Sequence, residues 1–336
     1  AYYSGNANEI DSFEVEKLSH IIFSFCHLKG NRLSVDNARD TATIHKLVSL
    51  KKRNPSLKVQ LSLGGWGGCE PCSPIFVVDS ARKIFAASVK ELCDHFKTDG
   101  IDLDWEYPGI EGHPGHPFLK EDKANFTALV KELRNVLGQE KEISFAAGGF
   151  KEFFDGSIDW KEVMPLVDRV NLMSYDLVGG YNTMTGHHTA LFSNAKQERS
   201  ADHGIRYLDS LGVPLNKIVI GAAFYARTWE NVPDADNGLY KPGKFKSFIA
   251  FNQFDKWLSS DSGFVFYLDT VAAAPYVYNA SRKLFATFDD PVSIQKKTAY
   301  ALDKGLNGIM FWELPLDKKT AGLLYQIDST ISARRK

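Results

Sequence analysis

Eight short β-rich segments alternating with amphipathic helical stretches predict an α/β chain built as a parallel (β/α)8 TIM barrel. No Gly-x-Gly-x-x-Gly turn interrupts the alternation, which argues against a dinucleotide-binding sheet. From residue 230 to residue 290 the rhythm breaks into aromatics and turn residues, including Tyr240, Phe245, Phe248, Phe251, Phe254, Trp257, Phe264, Phe266, Tyr267, Tyr276, Tyr278, Phe285 and Phe288. A structureless loop of that length is improbable in a compact domain. The interval is expected to be a small α+β insertion between the seventh strand and its helix. The 336 residues accordingly divide into a catalytic barrel of residues 1–229 and 291–336 and an insertion of residues 230–290.

In chain order, the strand segments are Ala1–Ser4, His20–His27, Lys58–Leu63, Gly100–Glu106, Ile143–Ala147, Arg169–Tyr175, Lys217–Phe224 and Gly308–Trp312. Each is a short apolar or β-branched run bounded by polar or turn residues. Between them, helical spacing covers Thr41–Arg53, Ser80–Lys97, Lys120–Leu137, Trp160–Val167, Ala195–Leu211 and Val292–Lys304, with a last helix near Lys318–Ile327. The second helix carries Ile84, Phe85, Val89, Leu92 and Phe96, the pattern of a core-facing stripe. Inserted after the seventh strand, residues 230–290 would stand on the C-terminal face of the barrel, where active sites of this architecture lie. Their aromatics would then wall a groove, or else fill the insertion's own core.

Hydrophobic residues make up 44% of the chain, enough for a substantial core, and the net charge is −1 with no long run of one sign. That balance argues against nucleic acid and anionic membrane as main partners and suits a neutral substrate. No apolar stretch reaches membrane-spanning length. No signal peptide is visible, and the chain starts at Ala1 without an initiator methionine, as expected if an upstream segment had been removed. Of four cysteines, Cys26 and Cys93 read as buried small hydrophobes. Cys69 and Cys72, on a Gly-rich loop, could be a local disulfide, free thiols, or a redox or metal pair. A disulfide would suit an oxidising compartment.

The fourth strand reads Asp-Gly-Ile-Asp-Leu-Asp-Trp-Glu from Asp99 to Glu106. Strand residues alternate faces, so Asp102, Asp104 and Glu106 project to one side. Three acids on an inward face carry a large desolvation cost, which raises their pKa or demands partners. Such a row is expected where protons are transferred. Other strand ends add Ser62-Leu63-Gly64-Gly65-Trp66, Met173-Ser174-Tyr175-Asp176, Phe224-Tyr225-Ala226-Arg227 and Phe311-Trp312-Glu313. Acids, tyrosines and tryptophans at a barrel mouth suit sugars, which need flat aromatic surfaces for their C–H faces and polar groups for hydroxyls and amides. His113 and His116 in Gly-His-Pro-Gly-His-Pro read as an exposed turn rather than a metal pair. With no phosphate loop, no Ser/His/Asp arrangement and no metal cluster, neither cofactor nor metal is expected.

At these motifs the chain resembles glycoside hydrolase family 18, the chitinases, in the deep-groove bacterial-type subfamily whose barrel carries an α+β insertion. The Asp-x-x-Asp-x-Asp-x-Glu run, the Ser-x-Gly-Gly loop, Met-x-Tyr-Asp and the terminal Trp each fall on the strand the family would assign them, over nearly the whole chain. The resemblance implies a retaining cleavage of β-1,4 links between N-acetylglucosamine units, in which the substrate's own acetamido oxygen attacks and an oxazolinium forms. It implies catalytic roles for Glu106, Asp104, Asp102 and Tyr175. Trp66, Tyr107, Met173, Asp176, Tyr181, Tyr225, Arg227 and Trp312 would contact the sugar, and Tyr2 and Ser62 would support Asp102. The implied partner is chitin or a chitooligosaccharide, acted on by a secreted monomer. An endo-β-N-acetylglucosaminidase of N-glycans or peptidoglycan is the alternative within the same chemistry. A catalytically dead chitin-binding lectin is the alternative outside it. The Gly-Ala-Ala-Phe-Tyr-Ala-Arg stretch departs from the family, where many members place Pro and a second Gly.

Overall fold

The computed structural model describes residues 1–334, and these form two compact units. The first comprises residues 1–172 and 208–218, the second the remainder. Short apolar runs in the first unit become β1 (Tyr2–Tyr3), β2 (His20–Lys29), β4 (Lys58–Gly64), β5 (Gly100–Asp104), β6 (Glu142–Gly148) and β7 (Arg169–Met173), with β3 (Arg32–Ser34) folding back on β2 as a hairpin. The parallel strands follow one another in sequence order, β1-β2-β4-β5-β6-β7. Register places Ser62 beside Asp102 and Asp102 beside Ser144. Neighbours in parallel register share a face, so these three side chains form one inward row.

The helices α1 (Ala38–Ser49), α2 (Cys72–Phe76), α3 (Asp79–Phe96), α4 (Asp122–Leu137), α5 (Lys151–Gly156) and α6 (Trp160–Val163) cover these strands. On α3 the buried stripe is Phe85, Val89, Cys93 and Phe96, whereas Ile84 is exposed. Residues four apart share a face, and Ile84 lies a hundred degrees around from that stripe. Cys69 is joined by a disulfide to Cys72, the first residue of α2. Cys26 and Cys93 are free and buried.

In the second unit, α7 (Ala201–Ser210) starts six residues later than helical spacing alone suggests; residues 195–200 are irregular, with Asn194 capping the backbone N–H groups of Lys196 and Gln197. Strand β8 (Ile218–Ala223) pairs in parallel with β14 (Gly308–Trp312). Between them lies a separate antiparallel sheet of β9 (Tyr225–Glu230), β10 (Lys244–Ala250), β11 (Val265–Asp269), β12 (Ala274–Asn279) and β13 (Leu284–Thr287), in the order β10-β9-β13-β12-β11, with the single-turn α8 (Phe254–Trp257) after β10. Counting β1, β2, β4 to β8 and β14, eight parallel strands alternate with helices, and the fold is a (β/α)8 barrel with the antiparallel sheet inserted. Most of the insertion's aromatics fill its own cores, one around Phe264, Val277 and Phe288 and one around Trp229, Tyr276 and Phe285. Phe248, Trp257 and Phe266 remain exposed.

The chain leaves the insertion at Asp289 and starts α9 (Pro291–Asp303) through a capping box in which Asp290 accepts from the Ser293 N–H and the Ser293 hydroxyl accepts from the Asp290 N–H. The last helix, α10 (Leu323–Arg334), follows β14. Asp289 is wholly buried. Its carboxylate accepts from Lys297 Nζ at 2.7 Å, Thr189 Oγ1 at 2.8 Å, the Ala223 N–H at 3.0 Å and Ser293 Oγ at 2.7 Å. Lys297 is equally buried, so neither charge can turn to water. Lys297→Met is therefore expected to cost about 3–5 kcal/mol by stranding the Asp289 charge. Urea unfolding at neutral pH reads this directly, and a midpoint matching that of the parent protein would contradict it.

Candidate active site

The acid row is anchored by backbone before side chains enter. Gly64, which ends β4, adopts φ +106, and a Cβ there would lie 2.3 Å from the Asp104 carbonyl oxygen. The Gly65 N–H donates to that same oxygen at 2.9 Å. Only glycine permits both the conformation and the approach. The Gly-Gly pair thus closes the Trp66 loop onto the end of β5. Strand pairing ends at Asp104, so Glu106 stands just past β5 rather than within it.

Asp102 lies at the bottom of the row. Its Oδ1 accepts from Ser144 Oγ at 2.6 Å and Asn171 Nδ2 at 3.0 Å; its Oδ2 accepts from Tyr2 OH at 3.0 Å and Ser62 Oγ at 3.1 Å. Asn171 Nδ2 also reaches Tyr2 OH at 3.3 Å. Burial raises the Asp102 carboxyl above its ordinary range, and the four donors pull the other way. Asp104 has no such cradle: its Oδ1 has no hydrogen-bond partner among the described residues. Burial first, then the charges of Glu106 and Asp102, push its carboxyl well above the usual aspartate value. The proton affinity of Asp104 therefore depends on the charges of its two neighbouring acids.

Trp66 and Tyr107 flank the row in the same unit, their rings 6.4 Å apart. Trp66 is 47% exposed, and the Tyr107 ring is fixed edge-on by Phe150 and Phe153 at 5.3 and 5.4 Å.

A second cluster occupies the second unit. Tyr225 and Arg227, expected at the end of the seventh barrel strand, belong instead to β9, because that stretch pairs with β10, Tyr225 opposite Ala250 and Arg227 opposite Phe248. Arg227 holds Asp176 through two bonds, Nε to Oδ1 at 2.7 Å and Nη2 to Oδ2 at 2.5 Å, and stacks over Tyr225 at 5.3 Å. His188 Nδ1 lies 3.5 Å from Asp176 Oδ1, with its ring 5.3 Å from Tyr225. Burial works to raise the Asp176 carboxyl, but His188 and Arg227 outweigh it and hold it far below the usual range. Burial lowers His188 and raises Tyr225. Tyr175, nearly buried, lies 6.4 Å from the Tyr225 ring with its hydroxyl 3.9 Å from Met310 Sδ. Met173 ends β7, Trp312 ends β14, and both are half-buried; Tyr181 is on an exposed loop.

Sequence reading missed Ser144, Asn171 and His188. The first two become visible only through register, which aligns Ser144 with Asp102; nothing in the local sequence marks His188 as facing Asp176.

Asp104 also sets a pH dependence of stability. Its folded pKa lies above the unfolded value, so its proton favours folding at low pH, and that contribution is lost as pH rises through the folded pKa. Asp104→Asn removes the charge without changing the shape. Relative to the parent, the variant is expected to gain stability as pH rises from 4 through 8, read by urea unfolding at each pH. A difference flat with pH would show an unperturbed Asp104.

The Glycosyl hydrolases family 18 model matches residues 1–317. The chain is 32% identical to chitinase A1 of Niallia circulans over 82% of its own length, and 28% identical to chitotriosidase-1 of Mus musculus over 89%. It spans 43% of the former relative and 67% of the latter. Among solved structures it resembles a family 18 N-acetylglucosaminidase from Paenibacillus barengoltzii, with TM-score 0.90, 34% identity and 98% of both chains covered. It also resembles chitinase ChiA74 from Bacillus thuringiensis, with TM-score 0.92, 25% identity and 99% and 69% covered. No helix among the described residues is long and apolar enough to cross a membrane. With the family matched over nearly its whole length and the acid row in place at the end of the fourth barrel strand, the chain belongs to glycosyl hydrolases family 18.

Proposed function

We propose that the chain hydrolyses β-1,4 links between N-acetylglucosamine units of chitin and chitooligosaccharides, with retention of configuration. The observation that carries this reading is Asp104 Oδ1, a buried carboxylate oxygen without a hydrogen-bond partner among the described residues. A polar atom left in that condition costs roughly 1–3 kcal/mol, so a ligand that supplies a donor is favoured. An acetamido N–H is such a donor. Held there, the acetamido group turns its carbonyl oxygen toward the anomeric carbon, and the aspartate stabilises the positive charge that develops as the oxazolinium closes.

Glu106 protonates the departing glycosidic oxygen and later removes a proton from the attacking water. Asp102 shares a proton with Asp104, with Tyr2 and Ser62 as its donors from below. Tyr175 donates to the acetamido carbonyl and so holds the internal nucleophile in a near-attack geometry. Asp176 and Arg227 bind hydroxyls around the cleaved bond, with Met173 and Tyr225 beside them. Trp312 floors the distorted sugar, and Trp66, Tyr107 and Tyr181 receive the leaving group. Phe248, exposed and opposite Arg227 in the register of the inserted sheet, supports a wall role for that insertion. The insertion aromatics packed into its two cores are structural. The Cys69–Cys72 disulfide supports an extracellular location, and a monomer is the working form on an insoluble polymer.

A second reading differs in product rather than chemistry. The similarity over 98% of both chains to a structure described as an N-acetylglucosaminidase supports release of single N-acetylglucosamine units. Sizing the products of a chitohexaose digest separates disaccharide from monosaccharide release.

Glu106→Gln is expected to lower turnover of chitooligosaccharides by about 10²–10⁴-fold while leaving binding within a few-fold, measured by kinetics beside calorimetric titration. The initial products should be β-anomers by NMR, and an amide-free glucan should not be cut. Inverted anomers, or equal cleavage of the glucan, would overturn the substrate-assisted route.

A further inference from the structure

His113 and His116 take no part in the acid cluster, yet backbone packing places their turn against it. A Cβ at Gly112, where the turn begins, would lie 2.2 Å from the Glu106 carbonyl oxygen. The turn is thus seated on Glu106, two residues past β5, and the His116 N–H closes it by donating to the His113 carbonyl at 3.0 Å. The His113 ring meets Trp66 edge-on at 5.4 Å, and the His116 ring lies 4.3 Å from His113 at a shallow tilt. Tyr107, Trp66, His113 and His116 therefore make a continuous chain of ring contacts leading away from the acid row.

Hydrogen bonding assigns the His113 tautomer. Its Nδ1 lies 3.1 Å from the Pro114 carbonyl oxygen. A carbonyl only accepts, so Nδ1 carries the proton, and in the neutral ring Nε2 is left with a lone pair. Gly67 passes next to that atom; a Cβ there would lie 3.5 Å from Nε2. Both histidines are only partly buried. No group of three metal-ligating side chains occurs among the described residues, so the pair has no third ligand to complete a cation site.

We propose that His113 and His116 extend the leaving-group platform of Trp66 and take the N-acetylglucosamine units beyond the one that Trp66 receives. Trp66 offers a flat face to one sugar. His113 Nε2 accepts a hydroxyl or acetamido N–H from the next, and His116 continues the surface. This rests on the reading of Trp66 as a leaving-group platform; it extends the site to a length no other observation assigns. A long N-acetylated chain is preferred to a short one because only the long chain reaches the two histidines.

The experiment compares chitohexaose with an aryl glycoside of the disaccharide, whose leaving group is a single aromatic ring. In the His113→Ala/His116→Ala double variant, the ratio of kcat/KM for the hexaose to that for the aryl glycoside is expected to fall about tenfold, mainly through KM of the hexaose. His113→Asn should recover part of the loss, because its side-chain oxygen restores an acceptor. An unchanged ratio overturns the proposal, whether both rates stay the same or both fall together as they would if the turn were only a brace. Failure of the parent protein to cleave either substrate would instead remove the family chemistry itself, an outcome distinct from an unchanged ratio.

Discussion

Two buried aspartates on one short strand govern the rest of the site. Asp102 and Asp104 sit on β5 with almost no exposure, amid Ile101, Leu103 and Trp105. Ionised carboxylates cannot be buried there without compensation. The compensation is unequal: Asp102 receives four side-chain donors, and Asp104 Oδ1 receives none among the described residues. That asymmetry assigns the two residues different work. The Asp102 carboxylate is fixed by its donors, and Asp104 Oδ1 is left able to accept one. An arrangement with both fully hydrogen-bonded would be more stable and would have nothing to offer a ligand.

The row depends on strands that are far apart in sequence. Tyr2, Ser62, Ser144 and Asn171 come from β1, β4, β6 and β7, and each reaches the same carboxylate. A displacement of one residue in the pairing of any of these strands would turn its polar side chain to the opposite face. Register therefore carries function as well as core packing. The close approach of Gly64 to the Asp104 carbonyl extends the same control to the loop bearing Trp66.

What could be read from the sequence follows from how local the signal is. Alternating acids in an apolar run, and helical stripes such as Phe85, Val89 and Phe96, declare themselves within one element. Non-local facts do not. Ile84 looked core-facing because apolar spacing alone cannot choose between adjacent angular positions on a helix, and packing against the strands made the choice. Tyr225 and Arg227 looked like the end of a barrel strand because β8 and β9 are separated by Phe224 alone, and only pairing with β10 tells them apart. His188 faces Asp176 through a loop contact that no periodicity encodes.

The second cluster solves the opposite electrostatic problem. At Asp104, burial and then like charges raise the carboxyl. Around Asp176, a bidentate guanidinium and a neighbouring imidazole keep the carboxylate ionised. Asp176 adopts φ +54, a left-handed conformation that aspartate tolerates better than most residues, and the paired bonds from Arg227 hold it there. Asp176 is kept as an ionised acceptor, whereas burial and like charges raise the Asp104 carboxyl. The same chemical group is thus held at opposite ends of its acidity range. The difference is made by neighbours: other acids around Asp104, and cationic or cation-capable side chains around Asp176.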